Sequence, residues 1–264
     1  MTSIKNQLAK IKAGNRLGLM THLVVGYPSL EQSRALALAM AEAGVDFIEL
    51  QIPFSDPMAD GPTLMRANQI ALANGVTVRN ALNLMRDLSS QVKIPLIFMT
   101  YFNIVFRFGT DKFCAEAAGS GAVGLIVPDI PLDEEPQEHF IAAAERYGLT
   151  AIRLLSPASS ERRIRLNAGL AKDFIYFVSR KGITGAQFEL DPELPNHLKT
   201  VKKISNLPLA VGFGLSSPAQ MSVLKGRAEI AVIGSKVVNV YDKAEKGREI
   251  DAVRNFLAGI VAAL

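Results

Sequence analysis

Residues Asp46 to Pro62 read DFIELQIPFSDPMADGP, four carboxylates within seventeen residues. The run Phe47-Ile48-Glu49-Leu50-Gln51-Ile52 has the near-continuous apolar character of a strand buried on both faces, as in a parallel sheet. A charge inside such a run is expensive unless something uses it. Strand alternation puts Phe47, Glu49 and Gln51 on one face and Ile48, Leu50 and Ile52 on the other. The aliphatic face suits packing against helices, so Glu49 is expected to point the other way, into whatever the sheet encloses. Asp60 follows eleven residues later, on a loop stiffened by Pro53, Pro57, Gly61 and Pro62.

Seven more runs of the same kind occur along the 264-residue chain, bounded by Gly and Pro. With the second strand at Phe47–Ile52, they are Leu17–Val25, Leu96–Thr100, Gly124–Pro128, Ala151–Leu155, Phe174–Ser179, Leu209–Phe213 and Ile230–Gly234. Helical spacing fills the intervals at Ser33–Ala43, Met65–Ser89, Glu134–Tyr147, Glu161–Ala171, Pro195–Ser205 and Pro218–Lys225, with a last helix over Glu249–Ala263. Eight βα units without a composition break predict an α/β fold, a closed (β/α)8 TIM barrel forming one domain over residues 1–264. A doubly wound sheet would need a Gly-rich phosphate turn after its first strand, and Gly26-Tyr27-Pro28 is not one. The first eighteen residues read as a short amphipathic extra helix rather than a secretory signal.

The composition narrows the function. Apolar residues make up 49% and charged residues 20%, enough for a large core in a soluble chain. The net charge of +4 is dispersed, without a basic tract interleaved with aromatics, which argues against nucleic-acid binding. The lone Cys114 excludes an intrachain disulfide and a cysteine-rich metal site, and it reads as buried filler. With no apolar run long enough to span a membrane, the expected location is cytoplasmic.

In a barrel of this type chemistry gathers at the C-terminal ends of the strands, with phosphate sites after the last ones. Glycine clusters stand at three successive strand ends: Gly182-Ile183-Thr184-Gly185, Gly212-Phe213-Gly214 and Gly234-Ser235. Backbone N–H groups at such glycines approach a phosphate closely, and the helix beginning near Ser235 adds its dipole. Glu49, buried, is expected to hold its proton to higher pH; Asp60, in wetter surroundings, is expected to stay ionised. Two acids in different environments divide acid and base roles. A structural reading of Glu49 needs a cation from a neighbouring strand, with Arg153 the candidate. Asp56 reads as a turn former, His22 as a packed core histidine ahead of an acid–base group, and His139 and His197 as structural. No metal cluster is expected. Phe213, Tyr101 and Tyr176, near strand ends, predict an apolar moiety on a small phosphorylated substrate of a lyase or isomerase.

The segments IELQIPFSDPMADGPT, FMTYFNIVFRFG, GLIVPDIPLDE, FIYFVSRKGITGA, AVGFGLSSPAQ and VIGSKVV resemble, in order and spacing, the tryptophan synthase alpha-subunit family across nearly the whole chain. The resemblance implies aldol-type cleavage of indole-3-glycerol phosphate to indole and glyceraldehyde 3-phosphate. It also implies a pyridoxal-phosphate beta subunit as partner in an alpha-beta-beta-alpha heterotetramer, with no cofactor in this chain. Carried onto matching positions, it makes Glu49 the proton shuttle and Asp60 the carboxylate facing the ring nitrogen. Gly185, Gly214, Gly234 and Ser235 match the phosphate site, Tyr101, Tyr176 and Phe213 the indole pocket, and Thr184 a loop residue that closes on Asp60. The chain departs from the family pattern at His22, Tyr27, Gln51 and Lys236, where an apolar residue, Asp, Gly and Ala are usual. A stand-alone indole-glycerol-phosphate lyase, and a non-catalytic phosphate-binding barrel that activates a partner, remain as alternatives.

Overall fold

The computed structural model describes residues 3–179, 191–212 and 217–264. Eight strands, all parallel, close in sequence order into a barrel: β1 (Gly18–Val24), β2 (Phe47–Gln51), β3 (Leu96–Met99), β4 (Gly124–Ile126), β5 (Thr150–Leu155), β6 (Ile175–Val178), β7 (Leu209–Gly212) and β8 (Ile230–Ile233). The helices are α1 (Ile4–Ala13), α2 (Leu30–Glu42), α3 (Pro62–Ala73), α4 (Val78–Gln91), α5 (Phe102–Phe108), α6 (Thr110–Gly119), α7 (Glu135–Glu138), α8 (Phe140–Arg146), α9 (Glu161–Leu170), α10 (Leu194–Ile204), α11 (Pro218–Ser222), α12 (Ser235–Lys243) and α13 (Glu249–Val261).

Strand alternation divides the core in two. Met20, Phe47, Ile97, Ile126, Ile152, Phe174, Tyr176, Ala210, Ile230 and Val232 fill the barrel interior as one cluster. Their neighbours Leu19, Ile48, Leu50, Phe98, Leu125, Ile175, Phe177, Val211 and Ile233 belong to the second cluster, between sheet and helices. Glu49 and Gln51 share the parity of Phe47 and face inward, as β2 alone predicts. Pairing of β1 with β2 sets His22 beside Glu49 and Val24 beside Gln51. At the N-terminal end, α1 brings Ile4 and Ile11 onto the interior cluster and plugs the barrel.

Two helical stretches are more broken than their spacing predicts. Met65–Ser89 is two helices: α3 stops at Asn74, Gly75 follows in the left-handed region at φ 74°, and Thr77 starts α4 with a capping box to Asn80. Glu134–Tyr147 is interrupted at His139, left-handed at φ 50°, which separates α7 from α8. His139 is therefore a junction residue rather than a residue within a helix. Among the described residues no helix is long and apolar enough to cross a membrane.

Candidate active site

The C-terminal end of the barrel interior carries an unusual set of buried polar side chains. His22, Glu49, Gln51 and Asp60 have 5%, 3%, 0% and 4% of their surface exposed. His22 Nδ1 lies 3.2 Å from Glu49 Oε1, and His22 Nε2 lies 2.8 Å from Gln51 Oε1. Gln51 Nε2 donates to Asp60 Oδ2 at 2.6 Å. The second oxygen of Glu49, Oε2, is buried without a hydrogen-bond partner among the described residues. Buried carboxylate oxygens are ordinarily satisfied, so an orphan of this kind needs an explanation.

The loop between β2 and α3 is built to bring Asp60 inward. Its backbone N–H closes a turn onto the Pro57 carbonyl at 2.9 Å, and Gly61 and Pro62 start α3 immediately afterwards. Asn68, nearly two turns into that helix, clamps the loop from behind. It donates to Asp60 Oδ2 at 3.2 Å and to the Leu64 carbonyl at 2.8 Å, and its own oxygen accepts from Phe54 N at 2.9 Å. Nothing in the sequence singled out Asn68; its position within α3, eight residues beyond Asp60, gives no local signal of the contact.

Burial corrects the sequence expectation for Asp60. The carboxyl is not in wet surroundings: desolvation pushes its pKa up, against the lowering effects of His22 and the Gln51 hydrogen bond. For His22 burial opposes the charged form, yet the Glu49 carboxylate, with Asp60 and Gln51 in support, outweighs it and the imidazole pKa rises above its ordinary value. His22 is thus packed in the core as expected, but against the acid rather than against apolar side chains. Arg153 is not a partner for Glu49. It lies on the opposite parity of β5, where its Nε donates to Asn167 of α9 at 3.2 Å.

The aromatic residues sit around the same end. The Tyr101 ring stacks on Phe54 with centroids 5.2 Å apart, and its hydroxyl accepts from Ala59 N at 3.1 Å beside Asp60. Tyr176 is buried, and burial together with the Glu49 and Asp60 charges holds its hydroxyl protonated to well above the usual phenol range. It lies across Gly212, where a Cβ would fall 2.4 Å from the tyrosine oxygen; only glycine admits the ring there. Gly234 and Ser235 form the start of α12, with Gly234 packed against His22. Thr184, Gly185, Phe213 and Gly214 lie outside the described residues.

The remaining departures from the family pattern point away from the acids. Lys236 places its ammonium 5.9 Å from the ring centroid of Phe256 on α13. Tyr27 bonds Asp242 of α12 and accepts from Arg66 Nη1 of α3 at 3.0 Å, tying the first loop to two helices. Desolvation and the Asp242 hydrogen bond push its pKa up to about 12. Asp56 bonds only its own turn, and among the described residues no three His, Cys, Asp or Glu side chains are placed to hold a metal.

Comparison with known proteins identifies the family. The family profile described as "Tryptophan synthase alpha chain" matches residues 8–260. The tryptophan synthase alpha chain of Syntrophotalea carbinolica is 42% identical over 242 residues, covering 92% of this chain and 93% of that protein. That of Geotalea uraniireducens is 40% identical over 264 residues, covering 100% and 97%. A chain of Mycobacterium tuberculosis tryptophan synthase superposes with a TM-score of 0.90 at 32% identity, over 100% of this chain and 98% of that one. Tryptophan synthase subunit alpha of Legionella pneumophila gives 0.89 at 30% identity over the same shares. A family match over nearly all of the sequence, on a closed barrel with its buried acids at the C-terminal end, leads to one conclusion: the chain belongs to the tryptophan synthase alpha chain family.

Proposed function

We propose that this chain is a carbon–carbon lyase that cleaves indole-3-glycerol phosphate to indole and glyceraldehyde 3-phosphate, as the alpha subunit of a tryptophan synthase. The observation that carries the reading is the unpartnered, buried Glu49 Oε2 at the C-terminal end of the barrel, with Asp60 held close by. Glu49 protonates the indole ring carbon that bears the glycerol chain. The positive charge then spreads to the ring nitrogen, where Asp60 faces the N–H and stabilises it. Glu49, now a carboxylate, takes the proton of the adjacent glycerol hydroxyl. The carbon–carbon bond breaks, its electron pair restores the aromatic ring, and the oxygen becomes the aldehyde. Burial makes the Asp60 charge costly beforehand, and the charge developing on the ring offsets that cost.

Tyr101, Tyr176 and Phe213 line the indole end in this reading, and Gly185, Gly214, Gly234 and Ser235 hold the phosphate, with Thr184 closing over Asp60. The partner is a beta subunit carrying pyridoxal phosphate, in an alpha-beta-beta-alpha assembly in the cytoplasm. Two strongly exposed apolar side chains support a docking surface at the same end of the barrel: Met58, 79% exposed on the Asp60 loop, and Phe106, 59% exposed on α5. A partner seated on Met58 would bear directly on the loop that positions Asp60.

An indole-release assay on the isolated chain, with and without an added beta subunit, tests the reading. Release stimulated by the beta subunit is expected. Full turnover without it would replace the subunit role with that of a stand-alone lyase, and no release in either condition would leave a phosphate-binding barrel.

A further inference from the structure

Glu49 and Asp60 are joined by an unbroken line of buried polar groups: Glu49 Oε1, the two nitrogens of His22, the amide of Gln51, and Asp60 Oδ2. The donors and acceptors along it are constrained. The Gln51 amide nitrogen is committed to Asp60, so the amide oxygen faces His22, and an amide oxygen only accepts. His22 Nε2 therefore carries a hydrogen. Its other nitrogen, Nδ1, lies 3.2 Å from Glu49 Oε1. Two lone pairs facing each other there, away from water, would be strongly unfavourable. One proton between them removes the conflict, whether it rests on the carboxyl or on the ring.

We propose that His22, held in its Nε2–H form by Gln51, is a positioning residue that shares a single proton with Glu49 and keeps it available to the reaction. The proposal rests on the lyase reading above. The proton leaves the pair from Glu49 when the ring carbon is protonated, and the hydroxyl proton restores it, so the pair begins and ends the cycle with the same count. The contact through Oε1 also leaves Oε2 without a partner among the described residues. The charged groups facing His22 are Glu49 from β2 and Asp60 from the loop that follows. Tyr176 on β6 faces both acids, and Gly234 from β8 packs on the imidazole side with no charge.

Nitrogen-15 spectra of the full chain labelled at its three histidines provide a readout independent of activity. The expected result is an Nε2–H imidazole for His22 whose titration midpoint moves toward acid by at least about one unit in Glu49→Gln. A neutral ring protonated at Nδ1 alone, or the same midpoint in both proteins, overturns the proposal. In the complex with beta subunit, His22→Asn is expected to lower kcat at least about tenfold, to leave KM within about twofold, and to move the alkaline limb of the kcat profile to lower pH. A limb that does not move overturns the proposal even if the rate falls, since a packing defect alone would lower the rate without displacing it. Gln51→Gly, which frees the tautomer, carries the same profile measurement if His22→Asn does not fold. Absence of indole release by the parent complex would refute the lyase reading, and the spectra would still decide the pairing.

Discussion

Asp46, just before β2, and Glu49, at the middle of that strand, stand three residues apart with 2% and 3% of their surface exposed, and the fold treats them in opposite ways. Asp46, at the N-terminal end of the barrel, has both oxygens occupied. Arg16 grips it through two nitrogens at 2.7 and 2.6 Å, Gln7 donates at 2.7 Å, and the Leu19 N–H at 2.9 Å. These bonds fasten α1 and the start of β1 to the barrel floor. Glu49 has one imidazole on one oxygen and, among the described residues, nothing on the other. A buried acid whose lone pairs are all used is part of the scaffold. One with an oxygen withheld from the scaffold is free to meet a substrate, at a cost in stability that function accounts for.

Removing the charge at each place separates the two roles. Glu49→Gln and Asp60→Asn are expected to reduce indole release by at least about 10³-fold, equivalent to roughly 4 kcal/mol of transition-state stabilisation. Binding of a phosphate-bearing substrate analogue should survive in both, because the lost interactions belong chiefly to the transition state. Near-normal turnover in either variant would end the role assigned to that residue. At the N-terminal end of the barrel, Arg16→Ala leaves Asp46 buried with half its hydrogen bonds, and a loss of about 2–3 kcal/mol is expected in denaturant unfolding with kcat unchanged. If Arg16→Ala instead lowered kcat without lowering stability, the contrast between the two acids would be wrong.

The smallest effect is a pH dependence. His22 and Asp60 both have pKa values raised above 6.5 and 3.8, so the folded chain binds protons that the unfolded chain has released. Stability from these two groups therefore falls as pH rises, beginning above the Asp60 reference value and continuing through the imidazole range. Asp60→Asn retains an oxygen for Gln51 and Asn68 but has no charge to bury. Its melting temperature relative to the parent is expected to climb as pH increases from about 4 to about 8. A constant difference across that range would show that Asp60 is not held at a raised pKa.

Much of this site is legible along the chain, and for a local reason. Alternation is a property of a single strand, so Glu49 could be turned inward from Phe47–Ile52 alone, and the glycine and proline punctuation placed Asp60 on a short loop. The split of Met65–Ser89 was also written locally, in Asn74-Gly75 and the Thr77 cap, but helical periodicity on both sides concealed it. The environment of Asp60 was not local. Its burial depends on Asn68 reaching back from α3, on Gln51 and on Tyr101, and a hydrophilic loop sequence does not predict that these close over it.

Periodicity, turn chemistry and a motif such as PFSDPMADGP are all carried by neighbouring residues, so the barrel, the inward direction of Glu49 and the family can be read along the chain. Which buried acid is scaffold and which is free depends on contacts made across the folded barrel. That distinction lies in partners 30 residues away for Asp46 with Arg16 and, for Glu49, in His22 on the adjacent strand. Pairing of β1 with β2 puts His22 beside Glu49, and the hydrogen-bond geometry that follows is a property of the closed barrel, not of either strand.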